Sequence, residues 1–152
     1  MHIHSRCSDG FPTVPELLEY VEERSGLDVI CVTDHEDVTG GLRARELAAS
    51  RGYRIQVVPG AEVTTRHGHL LALFLERTPP IFRSIEATLE TVHESEGLAV
   101  VPHPMSWLTR SLSRRTIDRV VAANEPGIGF DAIETANPSP AGRLTRRRAQ
   151  CL

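Results

Sequence analysis

The sequence predicts an α/β fold in which short strands alternate with helices along the chain. Two observations carry that reading. Apolar residues recur at helical spacing within polar stretches, and short β-branched runs lie between those stretches, with glycine or proline at the changes of pattern. Val14, Leu17, Leu18 and Val21 stand among glutamates, with Pro15 at the start and Gly26 past the end, so Val14–Arg24 is predicted helical. Residues 27–33 form an apolar, β-branched run suited to a buried strand. Thr39 is the expected cap of a second helix over about 41–50, ended by Gly52. A strand over 53–58 is broken by Pro59-Gly60 and resumes over 61–65, and 68–75 is a near-continuous apolar run covered on both faces. Ile85, Leu89 and Val92 give a helix over 81–96, stopped by Gly97, and Leu98–Val101 is a strand ended by Pro102. A helix over 114–124 and a strand of mixed character over 130–136 follow. This alternation implies a parallel α/β architecture, without choosing between an open sheet and a barrel.

The 152 residues are one domain's worth of chain, with 40% hydrophobic and 24% charged residues, as in ordinary globular proteins. A net charge of -3 supplies no general pull toward nucleic acid or anionic membrane. No apolar stretch approaches the roughly 20 residues of a membrane span. The three cysteines, Cys7, Cys31 and Cys151, form no CxxC pair, which fits a reducing, cytoplasmic setting. Arg143 to Arg148 is the one charge run and reads as a solvated helix face.

Six of the seven histidines fall at strand ends or in the turns that follow, where parallel α/β folds build their sites. His2 and His4 project to one face of a strand and can reach one metal, with Asp9 in the loop just beyond. Thr33-Asp34-His35 ends an apolar run that packing alone does not require to be polar. Asp34 is expected to orient a histidine from behind. Glu62 puts a carboxylate in an apolar stretch, which is costly unless it is paired or bound to metal. His69 opens one strand-like run and sits closer to it than His67 does. His103 ends another, between Pro102 and Pro104. His93 lies inside a helical pattern and reads as a surface or packing residue. Imidazole nitrogens with carboxylate oxygens, and no thiolate cluster, are a donor set for hard and borderline cations.

The ordered set His2-x-His4, Ser8-Asp9-Gly10, Thr33-Asp34-His35, Pro59-Gly60-Ala61-Glu62, Gly68-His69 and Pro102-His103-Pro104 resembles the PHP (polymerase and histidinol phosphatase) family, from Met1 to about Asn137. The resemblance implies a distorted (β/α)7 barrel holding up to three divalent metals, manganese, iron or zinc. It implies that His2 and His4 bind one metal, that Glu62 bridges it to a second completed by His69 and His103, and that Asp9 and His35 bind a third. Two departures stand out. Met1 directly precedes the first HxH, and no late Asp-x-His motif is reached before Cys151-Leu152. The expectation is therefore a single PHP domain over 1–152 that is a fragment, its barrel lacking the last strand.

The activity implied is phosphoester hydrolysis by metal-activated water, with Glu62 and His35 at the centre of the chemistry. Arg110, Arg114 and Arg115, and Arg6 in the first loop, are candidates to hold the substrate phosphate. A small phosphorylated metabolite, a nucleotide or a nucleic-acid end is the expected partner, with no membrane and no protein partner indicated. Metal-assisted hydrolysis of a carbon–nitrogen bond and a non-catalytic metal- or partner-binding module are the alternatives.

Overall fold

A computed structural model of the chain describes residues 2–135 and 150. The expected terminal helix and the arginine run from Arg143 lie outside the described residues, as does the last position of the 130–136 strand. The chain divides into two compact units, Met1–Glu62 with Ala72–Thr78, and Val63–Leu71 with Pro79–Leu152. No helix among the described residues is long and apolar enough to cross a membrane.

In the first unit β1 (His2–Ile3), β2 (Val29–Val32) and β3 (Gln56–Thr64) lie side by side in chain order. They are parallel, with His2 opposite Cys31, and Val29 to Val32 opposite Gln56 to Pro59. Helix α1 (Val14–Arg24) joins β1 to β2. Thr13 caps it in a full capping box with Glu16, satisfying end groups that the helix itself cannot. Its apolar stripe of Val14, Leu17, Leu18 and Val21 packs with Ile30, Val32 and Val57 of the strands and with Ala44 and Ala48 of α2 (Thr39–Ser50). Each large side chain so buried contributes roughly 1.5–3 kcal/mol.

Two expectations for this unit need correction. Thr39 is the first residue of α2 and not its cap. The flanking Val38 makes no side-chain bond, and Asp37 instead accepts from the Thr39 N–H and hydroxyl at 2.9 and 2.5 Å. Strand β3 is not broken at Pro59-Gly60. Pro59 lacks an N–H, but its carbonyl accepts from Leu75 N at 3.2 Å, and a Cβ on Gly60 would stand 2.5 Å from the Ala72 carbonyl. Gly60 is needed there because the neighbouring backbone comes close.

The second unit holds the end of β3, the start of β4 (His69–Leu73), α3 (Ile85–Glu94), β5 (Leu98–Val101), α4 (Arg114–Ala123) and β6 (Ala132–Ile133). Strands β4, β5 and β6 are neighbours in that order, and β5 and β6 are parallel, with Val100 opposite Ala132. Adjacent strands β3 and β4 are joined by 65–68 alone, a link far too short for a parallel crossover, so this pair is an antiparallel hairpin. The architecture is α/β with β4 reversed against β3, not parallel throughout. Helix α3 starts later than expected because Ser84 is its cap. Phe82, with φ of 54°, lies outside it. The helix buries Ile85, Leu89 and Val92.

Candidate metal centre

The first unit gathers five of the expected site residues. His2 and His4, one residue apart where β1 ends, bring their Nε2 atoms within 2.8 Å of each other. The Glu62 Oε2 atom stands 2.9 Å from the first and 3.0 Å from the second. Glu62 is only 2% exposed and lies beyond the β2–β3 register, paired through its backbone with His35. His35 Nε2 lies 3.5 Å from the same carboxylate oxygen and 3.7 Å from Asp9 Oδ2. Asp9 Oδ1 in turn meets His4 Nδ1 at 2.5 Å. The ligand atoms of His2, His4 and Glu62 converge within a few ångströms of one another, as do those of His4, Asp9 and His35. Both sets match a divalent cation that takes imidazole and carboxylate donors.

Local charge follows from this crowding. Burial pulls the His4 pKa down, but hydrogen bonds to Glu62 and Asp9 outweigh it, so the net shift is upward. The Asp9 carboxyl is held below its ordinary value, chiefly by its hydrogen bond with His4.

Asp34 acts differently from expectation. Its buried carboxylate accepts from Ser5 N at 2.7 Å, Ser5 Oγ at 2.7 Å and Ser8 Oγ at 2.8 Å, so it pins the loop that carries Asp9 and does not orient a histidine. Nothing larger than glycine suits position 10, where a Cβ would stand 2.1 Å from the His4 carbonyl. The two serines gave no sign of this role in the sequence, because serine in a loop carries no signal of its own.

In the second unit the rings of His69 and His103 meet edge to face, 5.9 Å between centroids. His103 is 6% exposed and sits at φ 29°, a sparsely populated backbone region. Two contacts hold it there. Its N–H donates to Glu134 at 2.7 Å, and its carbonyl accepts from Ser111 Oγ at 2.8 Å. His103 Nδ1 also meets Ser111 Oγ at 2.7 Å and Thr109 Oγ1 at 3.1 Å, contacts that set the orientation of the ring. Glu134 and Ser111 are thus positioning residues that the motifs did not single out. His67 instead accepts from Ile85 N at 3.3 Å, at the start of α3.

The arginines are placed at the surface. Arg114 is bound to Asp118 at 2.7 and 2.9 Å, Arg110 lies 5.7 Å over the Phe82 ring, and Arg115 is exposed. His93 is more than a surface residue: its two ring nitrogens reach the Gly127 carbonyl at 2.7 Å and Asp131 at 3.0 Å.

No family model matches the chain. It is 33% identical over 147 residues to an uncharacterized protein of Methanocaldococcus jannaschii, covering 90% of this chain and 80% of the relative. It is 35% identical over 100 residues to the phosphoribosyl 1,2-cyclic phosphate 1,2-diphosphodiesterase of Eggerthella lenta, covering 61% of this chain but only 37% of that enzyme. Among solved structures, a chain from Bifidobacterium adolescentis described as a metal-dependent phosphoesterase superimposes with a TM-score of 0.70 at 17% identity, covering 98% of this chain and 82% of the other. A two-domain protein from Bacteroides vulgatus containing a PHP-like metal-dependent phosphoesterase gives 0.62 at 22% identity, covering 80% of this chain and 40% of that one. The chain belongs to one family with the Methanocaldococcus jannaschii protein, and it shares its fold with the PHP-like and metal-dependent phosphoesterase structures. Within the PHP motif set, the residues from His2 through Glu62 lie in the first unit, and His69 and His103 lie in the second.

Proposed function

We propose that this chain is a metal-dependent phosphoesterase that cleaves a phosphomonoester or phosphodiester. The observation that carries the reading is the convergence of His2 Nε2, His4 Nε2 and a buried Glu62 oxygen within 3.0 Å. Burying a carboxylate among imidazoles is costly unless a proton or a cation compensates it. His2, His4 and Glu62 would hold one ion and Asp9 with His35 another, while His69 and His103 supply further nitrogen donors. Manganese, iron and zinc all accept this donor set. Divalent ions bound there supply Lewis acidity toward phosphoryl oxygens and make water acidic enough to act as a nucleophile near neutral pH. The chain's own part is to fix the donors. Asp34 braces the loop of Asp9, and Ser111 and Glu134 set the ring of His103. For the substrate phosphate, Arg6, Arg110 and Arg115 remain the candidates, whereas Arg114 is already engaged by Asp118.

The test is phosphate release from a panel of nucleotides, sugar phosphates and a diester, using chelator-stripped protein with and without added Mn²⁺ or Zn²⁺. Turnover should require the metal. Glu62→Ala should lower it at least ~100-fold, since even residues that merely support a ligand are worth 10–100-fold, whereas His93→Ala should leave it nearly unchanged. Equal loss in the two variants, or turnover indifferent to chelation, would overturn the assignment.

A further inference from the structure

His69 and His103 stand on neighbouring strands of the second unit, the first opening β4 and the second lying two positions past the end of β5. A third stretch of chain, residues 109–112, runs in ahead of α4 and touches both. Two imidazoles share a cation well only when their spacing is fixed, so whatever fixes it bears on the centre.

On the His103 side, Ser111 Oγ donates to the histidine's carbonyl at 2.8 Å and also meets Nδ1 of its ring at 2.7 Å. Thr109 Oγ1 meets the same nitrogen at 3.1 Å and Ser111 Oγ at 2.8 Å, so two linked hydroxyls hold one edge of the ring. On the His69 side the bond is to backbone, the His69 N–H donating to the Arg110 carbonyl at 2.6 Å. Gly68 lets the two segments come that close. A Cβ there would stand 2.6 Å from the Ser111 carbonyl carbon, and its φ of 145° is one that other residues rarely adopt. The turn behind it is closed by the buried Thr65, whose hydroxyl donates to the Gly68 carbonyl at 2.6 Å. At the far end the fully buried Leu112 anchors the stretch, and its carbonyl accepts from Met105 N at 3.2 Å.

The carbonyl that holds His69 and the hydroxyls that hold His103 thus belong to one short piece of chain. We infer that residues 109–112 are a shared brace that sets the His69–His103 pair as one unit, with Ser111 its positioning residue and Gly68 the point of close approach that admits it. The inference rests on the reading of these histidines as metal ligands and adds what keeps them in register. A disturbance on either side is felt on the other, because both histidines lean on the same segment.

The experiment titrates chelator-stripped protein with Mn²⁺ by calorimetry, with urea midpoints measured on the same samples. His69→Ala marks the part of the isotherm that belongs to the pair. Ser111→Ala should weaken that part at least about tenfold, the lower end of the range for groups that support a metal ligand. Ser111→Thr, which keeps the hydroxyl, should recover most of the loss. Gly68→Ala should weaken it comparably, although it removes no hydrogen-bonding group. Ser113→Ala is the control. That serine caps α4 just beyond the brace, accepting from Thr116 N at 3.2 Å, so its loss should lower the urea midpoint and leave Mn²⁺ affinity unchanged. Wild-type affinity in Ser111→Ala or Gly68→Ala, or an equal loss in Ser113→Ala, overturns the brace. Because metal and not turnover is read, protein with the expected pattern that releases no phosphate supports the brace and overturns the phosphoesterase reading. Wild type that takes up no Mn²⁺ overturns both.

Discussion

Asp34 concentrates three hydrogen bonds on one fully buried carboxylate, so its removal separates support of the site from the site itself. Asp34→Ala would strand the Ser5 N–H and hydroxyl in a position with no access to water, at a cost of about 1–3 kcal/mol for each orphaned group. It would also free the loop of Asp9. The expected result is a clear drop in urea midpoint together with a 10–100-fold loss of metal affinity, the range for groups that brace ligands. Unchanged affinity in the folded variant would show that Asp9 needs no such brace. At this scale the sequence was informative where chemistry forces a costly residue type into an apolar setting. Glu62 in an apolar strand and His35 after an apolar run could be picked out for that reason. Ser5, Ser111 and Glu134 could not, because their roles depend on which loop the fold brings to them.

Helix α3, strand β5 and the segment leading into β6 are tied together by one pair. His93 of α3 reaches the Gly127 carbonyl and Asp131, and Asp131 accepts from Ala99 N at 2.7 Å. With Nδ1–H given to Gly127, a neutral ring would turn the Nε2 lone pair toward a carboxylate, so the site favours the imidazolium. Burial lowers the His93 pKa, but these two acceptors outweigh it and raise it. Burial likewise raises the Asp131 pKa, and the Ala99 N–H and His93 outweigh it and lower it. Stability from His93 is thus fully present below its unfolded value of ~6.5 and is lost as pH rises through the higher folded value. That from Asp131 is present above ~3.9 and is lost as pH falls through the lower folded value. His93→Ala should therefore cost most between about pH 4 and 6.5, roughly 0.5–1 kcal/mol after screening of a pair with an exposed carboxylate. Urea midpoints at pH 5.5 and 8.5 check this, and an equal cost at both would refute the tie. Elements with a long apolar period, such as α1 and α3, were legible in the sequence because their buried stripes repeat. The antiparallel β3–β4 hairpin was not, since an apolar run reads alike in either direction. The continuity of β3 through Pro59-Gly60 was hidden too, because a close-packed glycine looks like a turn signal until the strand beside it is known.

For the molecule as a whole, the proposed centre around Glu62 would make the native state a better metal ligand than the unfolded chain, which would couple metal to global stability. The carboxylate is 2% exposed and has histidine nitrogens at 2.9, 3.0 and 3.5 Å, donors that unfolding would scatter along sixty residues of chain. A cation that binds only the folded form adds about 2.7 kcal/mol at one hundred times its dissociation constant. For a chain of this length that corresponds to a rise in Tm of roughly 5–10 °C. Saturating Mn²⁺ or Zn²⁺ should therefore raise the melting temperature of chelator-stripped protein by that amount, and EDTA should reverse it. The net charge of -3 is too small for general counter-ion screening to produce such a shift, and Mg²⁺ at equal ionic strength provides the comparison. Glu62→Gln keeps the side-chain volume and removes the charge, so its response to metal should shrink to a small fraction of the wild-type shift. His93→Ala, remote from these ligands in sequence and bound to other partners, should melt lower yet respond in full. A wild-type melting temperature indifferent to metal, or a Glu62→Gln variant that gains as much as wild type, would mean that the converging donors hold one another by hydrogen bonds alone.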